Sequence, residues 1–175
     1  MKRLSILFLG LVLAACNYPK QPTATIPFTP GSASTQCAFV EGRQALPELS
    51  GRFIGNLKNA ALPIETARAE AYGENCVAAD NSVVRFTAME TDFYVTLDVA
   101  SLGDEAALGQ SLEKILLIID NIPADQMGPN PGYIGVTFKA GEQVKNLWFT
   151  RTRAKALEAQ GLKGADLYTA LSNQP

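Results

Sequence analysis

Residues 64–77 read IETARAEAYGENCV and residues 83–99 read VVRFTAMETDFYVTLDV. Whether these two stretches form paired strands decides the fold. In the first, Ala67, Ala69 and Ala71 alternate with Arg68, Glu70 and Tyr72, a period of two that belongs to a strand with one small-residue face. Ala, Glu and Arg are also good helix formers, so a helix is the competing reading. The second stretch is rich in β-branched and aromatic residues and reads as a strand throughout. Val84 and Phe86 lie on one parity, and Phe93, Val95, Leu97 and Val99 on the other. That switch predicts a bulge or bend between Met89 and Asp92. Asp80-Asn81-Ser82 supply the turn between the two strands.

Outward from this pair, residues 46–61 carry Leu49, Phe53, Leu57 and Ala61 at spacings of four, the mark of an amphipathic helix ended by Pro63. Residues 104–121 carry Leu108, Leu112, Ile115, Leu116 and Ile119, a second helix with Asp104 and Glu105 at its positive end. After the loop MGPNPG at 127–132, residues 133–139 and 143–151 read as a hairpin turning at Ala140-Gly141-Glu142. Two short helices at 153–160 and 164–172 finish the chain, Gly161 ending the first. The order helix-strand-strand thus occurs twice. It predicts an α+β domain, a four-stranded antiparallel sheet with helices on one face and a helical C-terminal tail. The inward residues are Phe53, Leu57, Leu112, Ile115, Ile119, Val95, Leu97, Ile134, Val136, Phe138, Leu147 and Phe149.

The N-terminus carries a different signal. Lys2 and Arg3 precede an apolar run from Leu4 to Leu13, too short to span a ~30 Å bilayer core as a helix. This is the pattern of a secretory signal peptide. It ends Leu13-Ala14-Ala15-Cys16, which resembles the lipobox of bacterial lipoproteins. The resemblance covers residues 1–16. It implies removal of residues 1–15 and acylation of Cys16, the first residue of the mature chain, in a bacterial cell envelope with the domain facing away from the cytoplasm. Two or more acyl chains anchor stably where one does not. Residues 16–36 then form the lipidated Cys and a tether rich in Pro, Ser and Thr, reaching up to ~60 Å if extended. Residues 37–175 remain as a single domain. Its phrases AYGENCV, METDFYVTL and PGYIGVTF look like those of small domains borne by bacterial lipoproteins, a resemblance that implies no activity.

Composition narrows the chemistry. The chain has no His, which removes Ser-His-Asp triads, Cys-His pairs and His-ligated zinc. No P-loop, GxGxxG, HExxH or CxxC pattern occurs, and no cofactor or metal is expected. Without Lys2 and Arg3 the 15 basic residues become 13, against 17 acidic, so the mature chain is acidic and makes no electrostatic case for nucleic acid. Setting Cys16 aside leaves Cys37 and Cys76, in an exported chain the expected partners of one disulfide, with two free thiols or a redox pair as alternatives.

The sheet face opposite the helices would carry Arg68, Glu70, Tyr72, Tyr94, Tyr133 and Trp148. Rings with a few charges make a binding surface, provided the C-terminal helices or the Cys37 segment do not cover it. Three functional readings follow. One is a membrane-anchored binding module for an envelope protein or glycan. Another is a His-free carboxylate hydrolase using Glu90, Asp92 or Glu70, since Glu90 and Asp92 stand two apart in a strand. The third is a structural spacer of the envelope.

Overall fold

A computed structural model describes residues 37–173. The expected signal peptide, Cys16 and the expected tether at 17–36 lie outside the described residues. The chain runs β1 (Ala38–Ala45), α1 (Pro47–Asn59), β2 (Ile64–Val77), β3 (Val83–Asp98), α2 (Glu105–Asp120), β4 (Asn130–Ala140), β5 (Gln143–Thr150), α3 (Arg151–Ala159) and α4 (Gly164–Ser172). The α+β class stands, and 64–77 is a strand. The expected four-stranded antiparallel sheet is instead a five-stranded mixed sheet in the order β1-β2-β3-β4-β5.

Two physical features account for the difference. First, β3 and β4 run parallel. The two expected hairpins exist, but α2 joins them. A 16-residue helix is about 24 Å long and carries the chain back along the sheet, so β4 starts beside Glu90, midway along β3, and runs in the same direction. Only Glu90–Asp98 of β3 pairs with β4. The earlier part of β3 extends with β2 and β1 as a three-stranded arm. Second, β1 gives no amphipathic signal, because almost every residue in it is exposed. It holds by antiparallel pairing with β2 and by a disulfide between Cys37 and Cys76, with Cα atoms 5.2 Å apart.

The predicted parity switch is a bulge. Tyr72 pairs with Glu90 but Gly73 pairs with Ala88, so Met89 is the extra residue. Beyond it, Phe93, Val95 and Leu97 point into the core with Ile134, Val136, Phe138, Leu147 and Phe149. From the helices come Phe53, Leu57, Leu112, Ile115 and Ile119, and the twelve expected inward residues are all buried. Leu167, Tyr168 and Leu171 of α4 complete the core. The helices α2 and α4 cross closely: a Cβ on Gly109 would strike the backbone of Gly164, whose N–H donates to Glu113 Oε1 at 2.6 Å. All four helices thus serve the inner face of the sheet.

The disulfide spans a sequence separation of 39, worth ~4 kcal/mol in the chain-entropy account. Since β1 pairs along one edge only, reduction should loosen it before anything else. Hydrogen exchange on the reduced protein, or on Cys76→Ser, should show faster exchange in residues 38–45 with α2 still protected. Unchanged protection of β1 would show that the bond does not hold the strand.

Candidate functional site

Residues directly opposite in neighbouring strands share a face, so the register sorts the outer face into rows. One row runs Arg43, Tyr72, Glu90 across β1 to β3. The next runs Ala45, Glu70, Asp92. A third runs Arg68, Tyr94, Gly135, Trp148 across β2 to β5, and a fourth Thr66, Thr96, Thr137, Asn146. Tyr133 stands opposite Thr150. The six residues expected on this face therefore do share it. The helices lie against the other face, and the segment after Cys37 is an edge strand rather than a cover. Among the described residues this face is open: Trp148 is 40% exposed and Tyr133 38%.

The rings form one array. Tyr133 stacks on Trp148 with centroids 5.3 Å apart and planes 11° apart. Tyr94 lies tilted near the same indole, with centroids 5.5 Å apart and planes 36° apart. The Arg68 guanidinium caps Tyr94 at 3.9 Å from its ring centroid and donates from Nε to Glu70 Oε1 at 3.0 Å. The array needs a floor without a side chain. A Cβ on Gly135 would come within 2.7 Å of the Trp148 ring and 3.2 Å of Tyr94, so the indole approaches β4 this closely only because residue 135 is glycine.

The array is also pinned from beneath. Between β3 and β4, Thr91 pairs with Pro131 and Phe93 with Ile134, so β4 carries one extra residue opposite Asp92. Asp92 is only 2% exposed, and its Oδ1 accepts the Tyr133 N–H at 2.8 Å. Its Oδ2 accepts from Arg43 Nη1 at 3.3 Å and from the Tyr94 hydroxyl at 3.5 Å. The same Arg43 nitrogen donates to Tyr94 Oη at 2.6 Å and lies 3.6 Å from Glu70. Next to it, buried Thr91 accepts the Gly128 N–H on Oγ1 at 2.9 Å. Thr91 and Asp92 together fix the entry of β4, and with it the placement of Tyr133.

Two of the three carboxylates of the hydrolase reading are thus fixed acceptors. Asp92 has both oxygens engaged, and Glu70 is shared by Arg43 and Arg68. Glu90 stands one row away, beside Tyr72. No group of three potential metal ligands occurs among the described residues. Electrostatics follow the geometry. Burial opposes the Arg43 charge, but the Tyr94 hydroxyl, Asp92 and Glu70 outweigh it and raise its pKa. Burial and the Asp92 charge raise Tyr94 against the pull of Arg43. A hydrogen bond to Glu41, helped by burial and by the charges of Glu41 and Glu90, raises Tyr72.

Arg43 and the row Thr66, Thr96, Thr137, Asn146 escaped the sequence reading. Arg43 sits on the strand that gives no pattern. The row exists only once the register across four strands is known, although parity alone puts Thr96 with Tyr94 and Asn146 with Trp148. A hollow of about 350 Å³ lies between the loop from Met127 to Pro131 and the start of α3. Its cations Arg151 and Lys155 both pair with Asp120, at 3.7 and 3.2 Å. No helix among the described residues is long and apolar enough to cross a membrane. No protein-family model, curated protein or solved structure matches the chain.

Two outcomes are expected. Asp92→Asn keeps an acceptor for the Tyr133 N–H and should be tolerated better than Asp92→Ala, which leaves that donor unpaired and should cost ~1–3 kcal/mol by urea denaturation. Equal stabilities would remove the pinning role. For the phenols, a raised folded pKa means that the native state holds its proton longer than the unfolded chain. Stability should then be unaffected by these groups below the ordinary tyrosine value of 10.0 and fall as pH rises through it. Denaturation midpoints between pH 8 and 11, beside Tyr94→Phe and Tyr72→Phe, check this: the variants should lose less stability over that range.

Proposed function

We propose that the protein is a lipid-anchored component of a bacterial cell envelope, held through Cys16, whose domain is a non-enzymatic binding module for an envelope glycan or protein. The signal peptide and the LAAC ending support the anchor. The disulfide fits an oxidising compartment outside the cytoplasm. The observation that carries the binding reading is the open array of Tyr133, Trp148 and Tyr94. Large rings held rigid contribute most of the energy of a contact, because little freedom is lost when a ligand arrives. Here stacking, the Arg68 cap and the Asp92 pin hold them before any ligand is present. Six apolar or polar side chains scattered on a mobile surface would not support the reading. One array packed together against a glycine does.

The anchor and the module are tested separately. In cells, globomycin should make the unprocessed precursor accumulate, and Cys16→Ser should abolish acyl labelling; normal processing under the drug would overturn the anchor. For the module, the full chain in detergent should retain an envelope component, and Trp148→Ala should reduce that retention at least tenfold. Leu117→Ala, on the exposed side of α2, should leave it unchanged. Equal retention by both variants would overturn binding through this face.

A further inference from the structure

The aromatic row and the row beside it differ in chemistry. Thr66 pairs with Thr96, Thr96 with Thr137, and Thr137 with Asn146. One neutral hydrogen-bonding side chain therefore stands on each of four successive strands. At ~4.8 Å between strands the row is about 14 Å long. It runs beside Tyr94 and Trp148, and the two rows enclose a shallow hollow of about 320 Å³. That volume lies at the lower end of small-molecule clefts. Thr137 Oγ1 donates to Asn146 Oδ1 at 2.8 Å, so the Asn146 amide nitrogen and the hydroxyl oxygens remain for a ligand.

A ligand matching this pair of rows needs a flat apolar face for the indole and a rim of neutral hydroxyl or amide groups for the threonines and Asn146. A gluco-configured pyranose has this form: its ring C–H bonds stand axial above and below, and its hydroxyls lie around the equator. Other occupants fit less well. A phosphate-bearing ligand would need a free cation, but Arg68, the charged group lining the hollow, is already committed to Glu70 and to the Tyr94 ring. A peptide adding as a strand would lie along the free edge of β1 or β5, in line with the sheet, whereas the hollow lies on the sheet face over β2 to β5. Resting on the binding-module reading, we propose that the hollow binds a neutral, β-1,4-linked gluco-configured glycan, one ring stacked on Trp148 and its hydroxyl rim on Thr96, Thr137 and Asn146.

Trp148 is the one tryptophan of the chain, so its fluorescence reports directly on the site. The full chain is titrated with chitotetraose and with cellotetraose. At least one should give a saturable emission change, confirmed by calorimetry, while a maltooligosaccharide of the same length, whose α-linkages curve the chain, binds at least tenfold more weakly. Thr96→Val with Thr137→Val, which keeps the side-chain shape, should weaken binding at least tenfold without altering circular dichroism. In calorimetry, Trp148→Ala should abolish binding and Trp148→Phe should keep part of it. Absence of any response to both β-linked sugars at millimolar concentration overturns the glycan assignment, as does binding that the threonine variant leaves intact. If the sugars fail while retention of an envelope protein still depends on Trp148, the glycan inference falls and the binding module stands. If neither depends on Trp148, both fall.

Discussion

The carboxylate of Asp92 is the constraint on which the outer face depends. Burying a charge is costly unless it is paired and hydrogen-bonded. Here the cost is offset at a place where a donor would otherwise be stranded. The extra residue in β4 takes the Tyr133 N–H out of the parallel ladder, and Asp92 Oδ1 accepts it. The second oxygen meets Arg43, whose guanidinium reaches across from the edge strand. One side chain therefore joins β1, β3 and β4. Its removal would leave an unpaired amide beneath the rings and take from Arg43 the nearer of its two carboxylates. The Arg43–Asp92 pair is half-exposed on the arginine side, so its worth lies in position more than in Coulomb energy.

The two faces of the sheet obey opposite rules. The inner face is closed by volume: Phe93, Val95, Leu97, Ile134, Val136 and Phe138 meet the helices, and each is 2% exposed or less. The outer face is organised by rows. Where the inner face is filled by bulky side chains along β3 and β4, the outer face needs a gap at Gly135, since the indole of Trp148 occupies the space that a side chain there would fill. A glycine in the middle of a strand ordinarily weakens it. Here the indole packed against it replaces the missing side-chain contacts.

Most of the fold was legible because most of its elements bury one face. The period of two in 64–77 overrode helix propensity, since alternation with Arg68, Glu70 and Tyr72 only makes sense on a half-buried sheet. The four-residue stripe of α1 and the broad stripe of α2 were likewise plain. What could not be read was whatever buries nothing or depends on register. The strand β1 is exposed along nearly its whole length, so AFVEGRQA has no pattern to show, and its pairing comes from β2 and from Cys37. The parallel junction was hidden because alternation does not tell direction. It was also hidden because Asp92, two residues from Glu90, reads as a solvated acid until the bulge opposite it is known. The six outward residues followed from parity alone. Arg43 and the threonine row did not, because each needs a partner strand to acquire its meaning.

The position of the disulfide bears on how the face would survive anchoring. Chain upstream of Cys37 enters the sheet at the free end of β1, the first pair being Ala38 with Val77. A pull on that end alone would peel β1 from β2 one pair at a time, a mode in which each hydrogen bond is loaded singly. Peeling would carry off Arg43, which sits at the sixth position of β1 and holds Asp92, Glu70 and Tyr94 together. Cys37 is bonded to Cys76, in the same strand as Val77. Load applied upstream therefore enters β2 through a covalent bond before it reaches the ladder of β1. β2 is gripped on both sides, by β1 and by β3, and is loaded along its length, where many hydrogen bonds resist together. On the proposed anchoring through Cys16, the bond does more than restrict the unfolded chain. It separates the point where the tether pulls from the arginine that keeps the aromatic face in place.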